Sequence, residues 1–378
     1  MGVIPSPFIN LPVQVAFLIG NGFDLGLGLK TSYRDFINFY LNKDEDDGVL
    51  DSEKETIQIF KEQIRKDIDC WSDAELEFGR FKFSKINPNL DVEEIFTPCA
   101  DDFQCSLCKY LREQDRLMIE NVSGEVAKTF EKTLLEIAQP KQWFRVSVGK
   151  GDRAVRINIV NFNYTLTVDR LIKRWKKNEN LRNITETSEE FEYRLENVIH
   201  VHGNLNKPDE IVFGVNEVSQ IDDMKLRDYS AIYGYGIKPI MAAREMSASY
   251  NQAKEVIKNA NIIVLFGLSY GATDCQWWDI VLDKVINQKT KLILCPFTDM
   301  PRELTSYAKR MQAKRRELEK LLRYTGYNFN NEVKEILITQ INFLNLYGPY
   351  PDPENGESYY CDPLHLNYFK RHCIQGAD

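Results

Sequence analysis

The chain has 378 residues, of which 43% are hydrophobic and 28% charged, and its formal net charge is -8. This length suits one large domain with an insertion, or two domains, and the core can form without disulfide bonds or a structural metal. The acidic balance argues against a general nucleic-acid binder, and eight cysteines are too few for a disulfide scaffold. No apolar run reaches the ~18 residues of a membrane span and no signal peptide is recognisable, which predicts a cytoplasmic protein without a membrane partner.

The first predicted element is a strand, Val13–Ile19, which runs directly into the turn Gly20-Asn21-Gly22. An apolar face recurring from Tyr33 to Tyr40 then predicts a helix, with Thr31 or Ser32 as its cap. The chain therefore opens as strand, glycine-rich turn and helix.

The next block carries no convincing strand pattern. Residues 43–51 are acidic and indicate an exposed loop, and helical patterns follow at about 52–69, 73–85 and 106–138. We therefore predict that residues 43–150 form a helical insertion.

Strands return after this block and alternate with helical patterns around 165–180, 247–260 and 275–288. Short, continuously apolar strands between helices indicate a buried parallel sheet with helices on both faces. We predict an α/β fold with a discontinuous Rossmann-like core over 13–42 and 151–298 and a mainly helical C-terminal extension over 299–378. The predicted strands of the second part are Arg156–Phe162, Val198–His202, Ile211–Phe213, Asn261–Phe266 and Lys291–Cys295.

Ligands of open parallel sheets bind outside the carboxyl ends of the strands, and four predicted strand ends here carry glycine or polar residues. The first is Gly20-Asn21-Gly22-Phe23-Asp24, where glycines can let the backbone approach a pyrophosphate ahead of a helix N-terminus. The dinucleotide fingerprint is not matched, because Leu25 stands where its third glycine belongs. A tight turn without a ligand is the alternative.

The next two strand ends carry asparagine and histidine. Asn161 and Asn163 flank a strand end, where an amide can hold a water or a ribose hydroxyl, or can cap the next helix. His200 and His202 alternate along a strand and so should point to opposite faces, which disfavours one shared metal. His202, at the strand end beside Gly203, suits proton transfer near neutral pH, whereas His200 should pack within the sheet layers.

The fourth strand end is Gly267-Leu268-Ser269-Tyr270-Gly271, in which Gly267 and Ser269 could contact ribose or phosphate. The pattern also matches the nucleophile turn of serine hydrolases, but a triad would need His365 or His372, and we disfavour it.

Metal binding is not expected from the cysteines and histidines. The pair Cys105 and Cys108 lacks a second close pair, and Cys361, His365, His372 and Cys373 match no ligand spacing. The predicted helix over 299–323 carries eight Lys or Arg residues, which we interpret as a solvated face, with a phosphate or nucleic-acid contact as the alternative.

Taken in chain order, these segments resemble the AbiH family of bacterial phage abortive-infection proteins over most of residues 13–280. One departure is Leu268, where many members have histidine. The matching motifs are Gly20-Asn21-Gly22-Phe23-Asp24, Trp71-Ser72-Asp73 with Glu75, Asn161-Phe162-Asn163-Tyr164-Thr165, His200-Val201-His202-Gly203, Phe213-Gly214 and Gly267-Leu268-Ser269-Tyr270-Gly271-Ala272-Thr273-Asp274.

The same order is also similar to a divergent sirtuin-type fold, in which a glycine-rich turn binds a dinucleotide, an asparagine follows a later strand and a histidine precedes a glycine. No cysteine lies between Gly203 and Cys275, where sirtuin deacylases carry their zinc module. The resemblance therefore favours the NAD hydrolases of phage defence over deacylation.

The resemblance implies an anti-phage effector, a sirtuin-like NADase that hydrolyses the nicotinamide–ribose bond of its substrate NAD and needs no metal. Asn163 would position the attacking water, and His202 would act as the general base. The implied NAD contacts are Gly20, Asn21, Gly22, Phe23, Asp24, Gly267 and Ser269.

Two alternatives remain: a nucleotide sensor without turnover that signals through the helical insertion, and a nucleic-acid-directed effector that uses the helix over 299–323. Transfer of ADP-ribose to a macromolecule is a variant of the hydrolase hypothesis. An effector that depletes a vital cofactor needs an off state, so we expect a homo-oligomer or a phage-derived trigger as partner.

Overall fold

The computed structural model describes residues 8–9, 12–43, 50–121, 124–146, 153–175, 186–187, 191–230, 232–287, 290–297 and 307–326, with three short strands beyond them. Its helices are α1 (Gly22–Gly26), α2 (Tyr33–Asn42), α3 (Asp51–Lys66), α4 (Ala74–Arg80), α5 (Val92–Asn121), α6 (Gly124–Ala138), α7 (Thr167–Trp175), α8 (Met224–Asp228), α9 (Ile232–Tyr235), α10 (Lys238–Glu245), α11 (Ser247–Asn259), α12 (Cys275–Asn287) and α13 (Tyr307–Leu322). Its strands are β1 (Phe8–Ile9), β2 (Val13–Ile19), β3 (Arg145–Val146), β4 (Ala154–Asn161), β5 (Glu186–Thr187), β6 (Glu192–His200), β7 (Ile262–Phe266), β8 (Lys291–Cys295), β9 (Asn342–Phe343), β10 (Pro349–Pro351) and β11 (Ser358–Tyr360).

The main sheet of the described chain has the strand order β5-β6-β4-β2-β7-β8-β9. The five longer strands, from β6 to β8, are parallel throughout, while β5 joins one edge antiparallel. The chain first builds outward from β2 through β4 to β6 and then returns to the other side of β2 with β7. The carboxyl ends of β2 and β7 thus flank a topological switch point, where open sheets bind their ligands.

Strand β2 lies at the centre of the sheet and is apolar along both faces because helices cover both sides. Val15, Phe17 and Ile19 pack against residues of α6 and α7. Ala16 and Leu18 face the opposite cluster, which contains residues of α11, α12 and α13. The chain is therefore a mixed α/β protein with a five-strand parallel sheet at its centre, and its assignment to a sirtuin-like Rossmann fold stays a prediction.

A third hydrophobic cluster contains residues of helices α2, α3, α4 and α5 and of the segment between residues 205 and 237, and it is rich in aromatic rings. Phe103 lies edge-on to Phe36 with ring centroids 5.0 Å apart and also contacts Phe213. Tyr164, which follows β4, belongs to the same cluster. This helical layer therefore packs beside the carboxyl ends of the strands and can contribute side chains there.

The structure corrects two predictions about which segments form strands. Ile211–Phe213 is buried but is not a strand; the amide of Val212 donates instead to the carbonyl of His202 at 2.9 Å. The block 43–150 contains the short strand β3, which pairs with β1, a partner too distant in sequence for local patterns to reveal. The domain boundaries stay predictions. Among the described residues, no helix has the length and apolar character needed to cross a bilayer.

Candidate functional site

A pocket of about 620 Å³ lies over the carboxyl ends of the parallel strands, within the roughly 300–1,000 Å³ typical of small-ligand sites. It receives residues from the turns after β2, β4, β7 and β8, from α4 and from α13. Among its lining residues are Gly20, Asn21, Gly22, Asp24, Asn163, His202, Gly267 and Ser269, so the structure brings these sequence-predicted residues together.

Phe23 is the one predicted contact that does not line the pocket. Its side chain is fully buried and packs against the rings of Phe130 and Phe266, with centroids 5.2 and 5.5 Å away. Its amide donates to the carbonyl of Gly20 at 2.9 Å. Phe23 therefore anchors the turn in the core and has no amide to offer a pyrophosphate.

The glycines at the switch point serve the packing of two turns on each other. The Gly22 amide donates to the Gly267 carbonyl at 2.7 Å, and a Cβ at Gly22 would lie 2.7 Å from that oxygen. Gly267 has a φ of +66°, and a Cβ there would lie 2.5 Å from the Phe23 nitrogen. Packing of the two turns by itself requires glycine at both positions, and the predicted close approach to a phosphate stays a prediction. The five-residue helix α1 is too short for a strong dipole.

Asp24 is fully buried where α1 meets the pocket. The Thr165 hydroxyl donates to its Oδ2, while Oδ1 has no hydrogen-bond partner in the structure. Burial raises the pKa of Asp24 to about 7, against the opposing effect of the Thr165 hydrogen bond. This carboxyl can therefore hold or release a proton near neutral pH.

Asn163 ties the end of β4 to the turn after β2. Its backbone amide donates to Asn161 Oδ1 at 3.0 Å, and its side-chain Nδ2 donates to the Gly20 carbonyl at 3.2 Å. Asn163 is 6% exposed and lies four residues ahead of α7, so the alternative of a helix cap does not hold. The amide is held rigidly at the pocket wall.

His202 is 5% exposed and its Nε2 lies 3.0 Å from Asp274 Oδ1. The separation is that of an ion pair, but the ring N–H is not aligned with the carboxylate, and Nε2 has no hydrogen-bond partner. Phe162 packs edge-on against the imidazole at 5.4 Å. The ring is thus held beside a carboxylate in a mostly apolar wall.

The other histidine lies elsewhere: His200 Nε2 contacts Asp169 Oδ2 of α7 at 3.0 Å and does not line the pocket. Gly203 has a φ of +77°, and a Cβ there would lie 2.4 Å from the Glu210 carbonyl oxygen. The glycine after His202 is therefore required by packing against the 3-10 helix at Pro208–Glu210.

A buried charge network extends from His202 into the helical layer. Lys238 Nζ donates to Glu75 Oε2 at 2.6 Å and to Asp274 Oδ1 at 2.9 Å, and Tyr164 donates to Glu75 Oε1 at 3.0 Å. Burial alone would lower the pKa of Lys238, but Asp274 and Glu75 raise it above its usual value. Burial alone would raise the pKa of Asp274, but Lys238 and then His202 hold it well below its usual range.

Sequence reasoning missed Lys238. It lies on a short helix without a recognisable motif, and nothing distinguishes it from the other lysines of the chain. Only the resemblance singled out Glu75 and Asp274, and it assigned them no role. The neighbouring Asp73 also lines the pocket, and burial and the charge of Glu75 raise its pKa.

Helix α13, predicted as a solvated basic face, contributes to the pocket at its C-terminal end. Glu317, Lys320 and Arg323 line it together with Tyr324. Glu317 is 4% exposed and accepts a hydrogen bond from Lys320 Nζ at 2.6 Å. At least two of the eight basic residues of the predicted helix therefore face the pocket.

Within the described residues, no group of three His, Cys, Asp or Glu side chains is arranged to hold a metal ion. Cys108 is buried and Cys105 exposed; burial raises the pKa of the Cys108 thiol to about 11. The residues Cys361, His365, His372 and Cys373 lie outside the described residues.

Several buried polar atoms at the pocket have no hydrogen-bond partner. They are Asp24 Oδ1, Thr31 Oγ1, His202 Nε2 and Tyr270 OH. Native proteins leave few such groups, and each one calls for an explanation. Their gathering at one pocket fits a polar ligand, and the carboxylates beside them fit one that carries or develops positive charge.

Residues 16–295 match the family described as bacteriophage abortive infection AbiH. The match covers well over half of the chain, includes all the predicted catalytic and NAD-binding residues and ends within the sheet, before α13. No curated protein matches the chain.

Proposed function

The chain belongs to the AbiH family of bacteriophage abortive infection proteins, whose role is defence against phage, and we propose that it acts by hydrolysing the nicotinamide–ribose bond of NAD. The observation that carries the proposal is the meeting of Asp24, Asn163 and His202 in one pocket at the switch point of a parallel sheet. A nucleotide can bind at such a point because the chain leaves the two neighbouring strand ends in opposite directions, which opens a crevice between them.

The reaction separates nicotinamide from ribose while water adds to the ribose carbon, and the products are nicotinamide, ADP-ribose and a proton. Positive charge develops on the ribose as the bond breaks, as in glycoside hydrolysis. The pocket is lined by Asp24, Asp73, Glu75 and Asp274, and Lys238 is the buried cation that pairs with Glu75 and Asp274. Carboxylates fixed before the reaction stabilise such a charge without reorganisation.

His202 is the group that would accept the proton of water. Its Nε2 faces Asp274, which leaves Nδ1 as the nitrogen for proton exchange with the pocket. Because Lys238 keeps Asp274 ionised, the carboxylate would stabilise the imidazolium that forms. Asp274 thus acts through His202 as a positioning residue.

Asn163 and Asp24 would hold the sugar and the water. Asn163 is fixed by its hydrogen bond to the Gly20 carbonyl, so its amide presents a constant geometry. Asp24 Oδ1 is unpartnered, and its carboxyl can bind a ribose hydroxyl in either protonation state. Both groups lie beside the turn that Gly20 begins.

One observation favours a second function, nucleotide sensing without turnover. Lys238 bridges Glu75 of α4 to Asp274 of the 3-10 helix Ala272–Asp274. A ligand that moved Asp274 would therefore also move Lys238 and Glu75, and so would change the position of the helical layer. A sensor would bind NAD and leave it intact.

The proposed function is tested by incubating the purified full-length chain with NAD and quantifying nicotinamide and ADP-ribose. We expect both products from the wild type and losses of about 100-fold or more in His202→Ala and Asn163→Ala, the usual effect of removing a general base or a fixed water contact. The matched controls are His200→Ala, which removes the other histidine of the same segment, and Asn206→Ala at an exposed position.

The same variants are then compared in phage-infected cells, where an activating signal is present. Protection with constant NAD levels would contradict the hydrolase, and so would a His202→Ala protein that is as active as His200→Ala. Binding of NAD without products in both settings would leave the sensor as the function of the pocket.

A further inference from the structure

We propose that the outer rim of the pocket, defined by Phe297, Lys320, Arg323 and Tyr324, is the subsite for the adenosine diphosphate half of the dinucleotide. This inference rests on the proposed function, because it names how the same ligand is held. The residues come from the segment after β8 and from the end of α13. The predicted NAD contacts did not include them.

The rim and the catalytic residues lie over different strands of the same edge. Phe297 follows β8, whereas Asn163 and His202 follow β4 and β6. The order β6-β4-β2-β7-β8 places β2 and β7 between these strands, and Phe297 packs on the turn after β2, where a Cβ at Gly22 would lie 2.6 Å from the Phe297 Cβ. The pocket therefore runs along the carboxyl edge of the sheet and suits an elongated ligand.

The glycine-rich turn between these two ends offers few groups for phosphate. The amides of Gly20, Gly22 and Phe23 donate to the carbonyls of Phe266, Gly267 and Gly20. These three amides are therefore not available to the phosphates of a bound dinucleotide, whereas the basic side chains of Lys320 and Arg323 line the pocket at the rim.

The two ends of the pocket differ in the sign of their charge. Arg323 is exposed and has no carboxylate within ion-pair distance among the described residues, and Lys320 shares its charge with Glu317. The inner end holds carboxylates, including Asp24 and Asp73. A dinucleotide with a cationic pyridinium ring and an anionic pyrophosphate fits this polarity in one direction, with the phosphates at Arg323.

The rim also carries two aromatic rings, on Phe297 and Tyr324, each 42% exposed. Large aromatic side chains are more often covered, and these two line the same pocket as Arg323, whose guanidinium lies 6.0 Å from the Tyr324 ring centroid. Exposed rings beside a cation supply base stacking and phosphate contact together. A nucleoside diphosphate fits both groups, because its base can stack on a ring and its phosphates can contact Arg323.

The test is calorimetric binding of ADP and of ADP-ribose to the full-length chain. We expect Arg323→Glu to weaken both ligands by about 10- to 100-fold, the size of a lost charged hydrogen bond. Tyr324→Ala should weaken them by about tenfold, as for one lost base stack.

Each variant has a matched control outside the pocket. Arg316→Glu reverses the same charge on an exposed position of α13, and Tyr235→Ala removes a ring that is 52% exposed. Neither residue lines the pocket, so both controls should bind ADP within about twofold of the wild type.

NAD hydrolysis is measured on the same proteins, which separates the two proposals. Arg323→Glu should raise KM for NAD and change kcat little, because the contact is remote from the bond that breaks. Hydrolysis with unchanged KM and unchanged ADP affinity in Arg323→Glu would overturn the subsite and leave the proposed function standing. The expected loss of ADP binding without any NAD hydrolysis would support the subsite and overturn the proposed function. A wild type that binds neither ADP nor NAD would overturn both.

Discussion

The pocket has two sides, each centred on one carboxyl group, and the two groups have opposite surroundings. Asp24 is fully buried with a hydroxyl partner and no cation, so burial raises its pKa to about 7. Asp274 is also mostly enclosed, but Lys238 and His202 hold its pKa far below the usual range of a carboxyl. Burial raises the pKa of both carboxyls, and the cations beside Asp274 are the reason that its pKa is low.

The surroundings of each carboxyl determine which chemistry that side of the pocket can perform. A carboxyl that titrates near pH 7 can exchange a proton or bind a hydroxyl, whereas a permanently charged one can only orient and stabilise a cation. Asp24 can therefore bind a hydroxyl in either protonation state, whereas Asp274 supplies a fixed negative charge to His202. Removing the cation of the Asp274 side should make the two sides more alike.

The largest effect is expected from Lys238→Met, which removes the cation of the Asp274 side. Glu75 and Asp274 would then be enclosed without their cation, and the free energy of unfolding should fall by about 3–5 kcal/mol. Urea unfolding measures the loss. The control, Lys258→Met, removes an exposed partner of Glu255 and should cost under about 1 kcal/mol. Equal losses in the two variants would show that the buried network contributes no stability.

A smaller, pH-dependent effect is expected from Asp24→Asn. Because the pKa of Asp24 rises on folding from 3.8 to about 7, its contribution to stability is fully present below pH 4 and disappears as pH rises through 7. Between pH 5 and pH 8 the wild type should lose about 2–3 kcal/mol that Asp24→Asn keeps. Urea unfolding at four pH values measures the difference. Parallel pH curves for the two proteins would place the pKa of Asp24 in its ordinary range.

The smallest effect concerns the turn between the two sides. Gly267→Ala forces a side chain onto a φ of +66° and against the Phe23 nitrogen, and should cost about 2 kcal/mol. Gly271→Ala is the matched control, because a Cβ there meets nothing closer than 3.8 Å and its φ is -63°. Thermal unfolding should distinguish the two. A Gly267→Ala protein as stable as Gly271→Ala would mean that the two turns can separate at little cost.

Several strands were predictable because their evidence is local. The predicted Lys291–Cys295 is β8, and the predicted Asn261–Phe266 begins one residue before β7, since both are continuous apolar runs. Strand β6 begins at Glu192, six residues before its predicted start, because its first half alternates polar and apolar residues at the edge of the five parallel strands. Ile211–Phe213 shows the reverse case, an apolar run buried by the helical layer without a strand partner.

The candidate site was predictable in part for the same reason. Residues that follow parallel strands must meet at one edge, so the order of the motifs along the chain is enough to expect Asn163, His202 and Gly267 together. The roles of the glycines could not be predicted, because the atoms that a Cβ would strike belong to other turns. Arg323 could not either, since nothing local shows which face of a basic helix meets the sheet.

The sequence by itself determined the strands, their alternation with helices and the set of residues at the strand ends, because apolar runs and chain direction are local properties. Only the tertiary structure decided the charges of those residues. Lys238 meets Glu75 from 163 residues away and Asp274 from 36, while Asp24 meets no cation. Protonation depends on burial and on such distant partners, so two aspartates of the same intrinsic acidity become different groups in the folded chain.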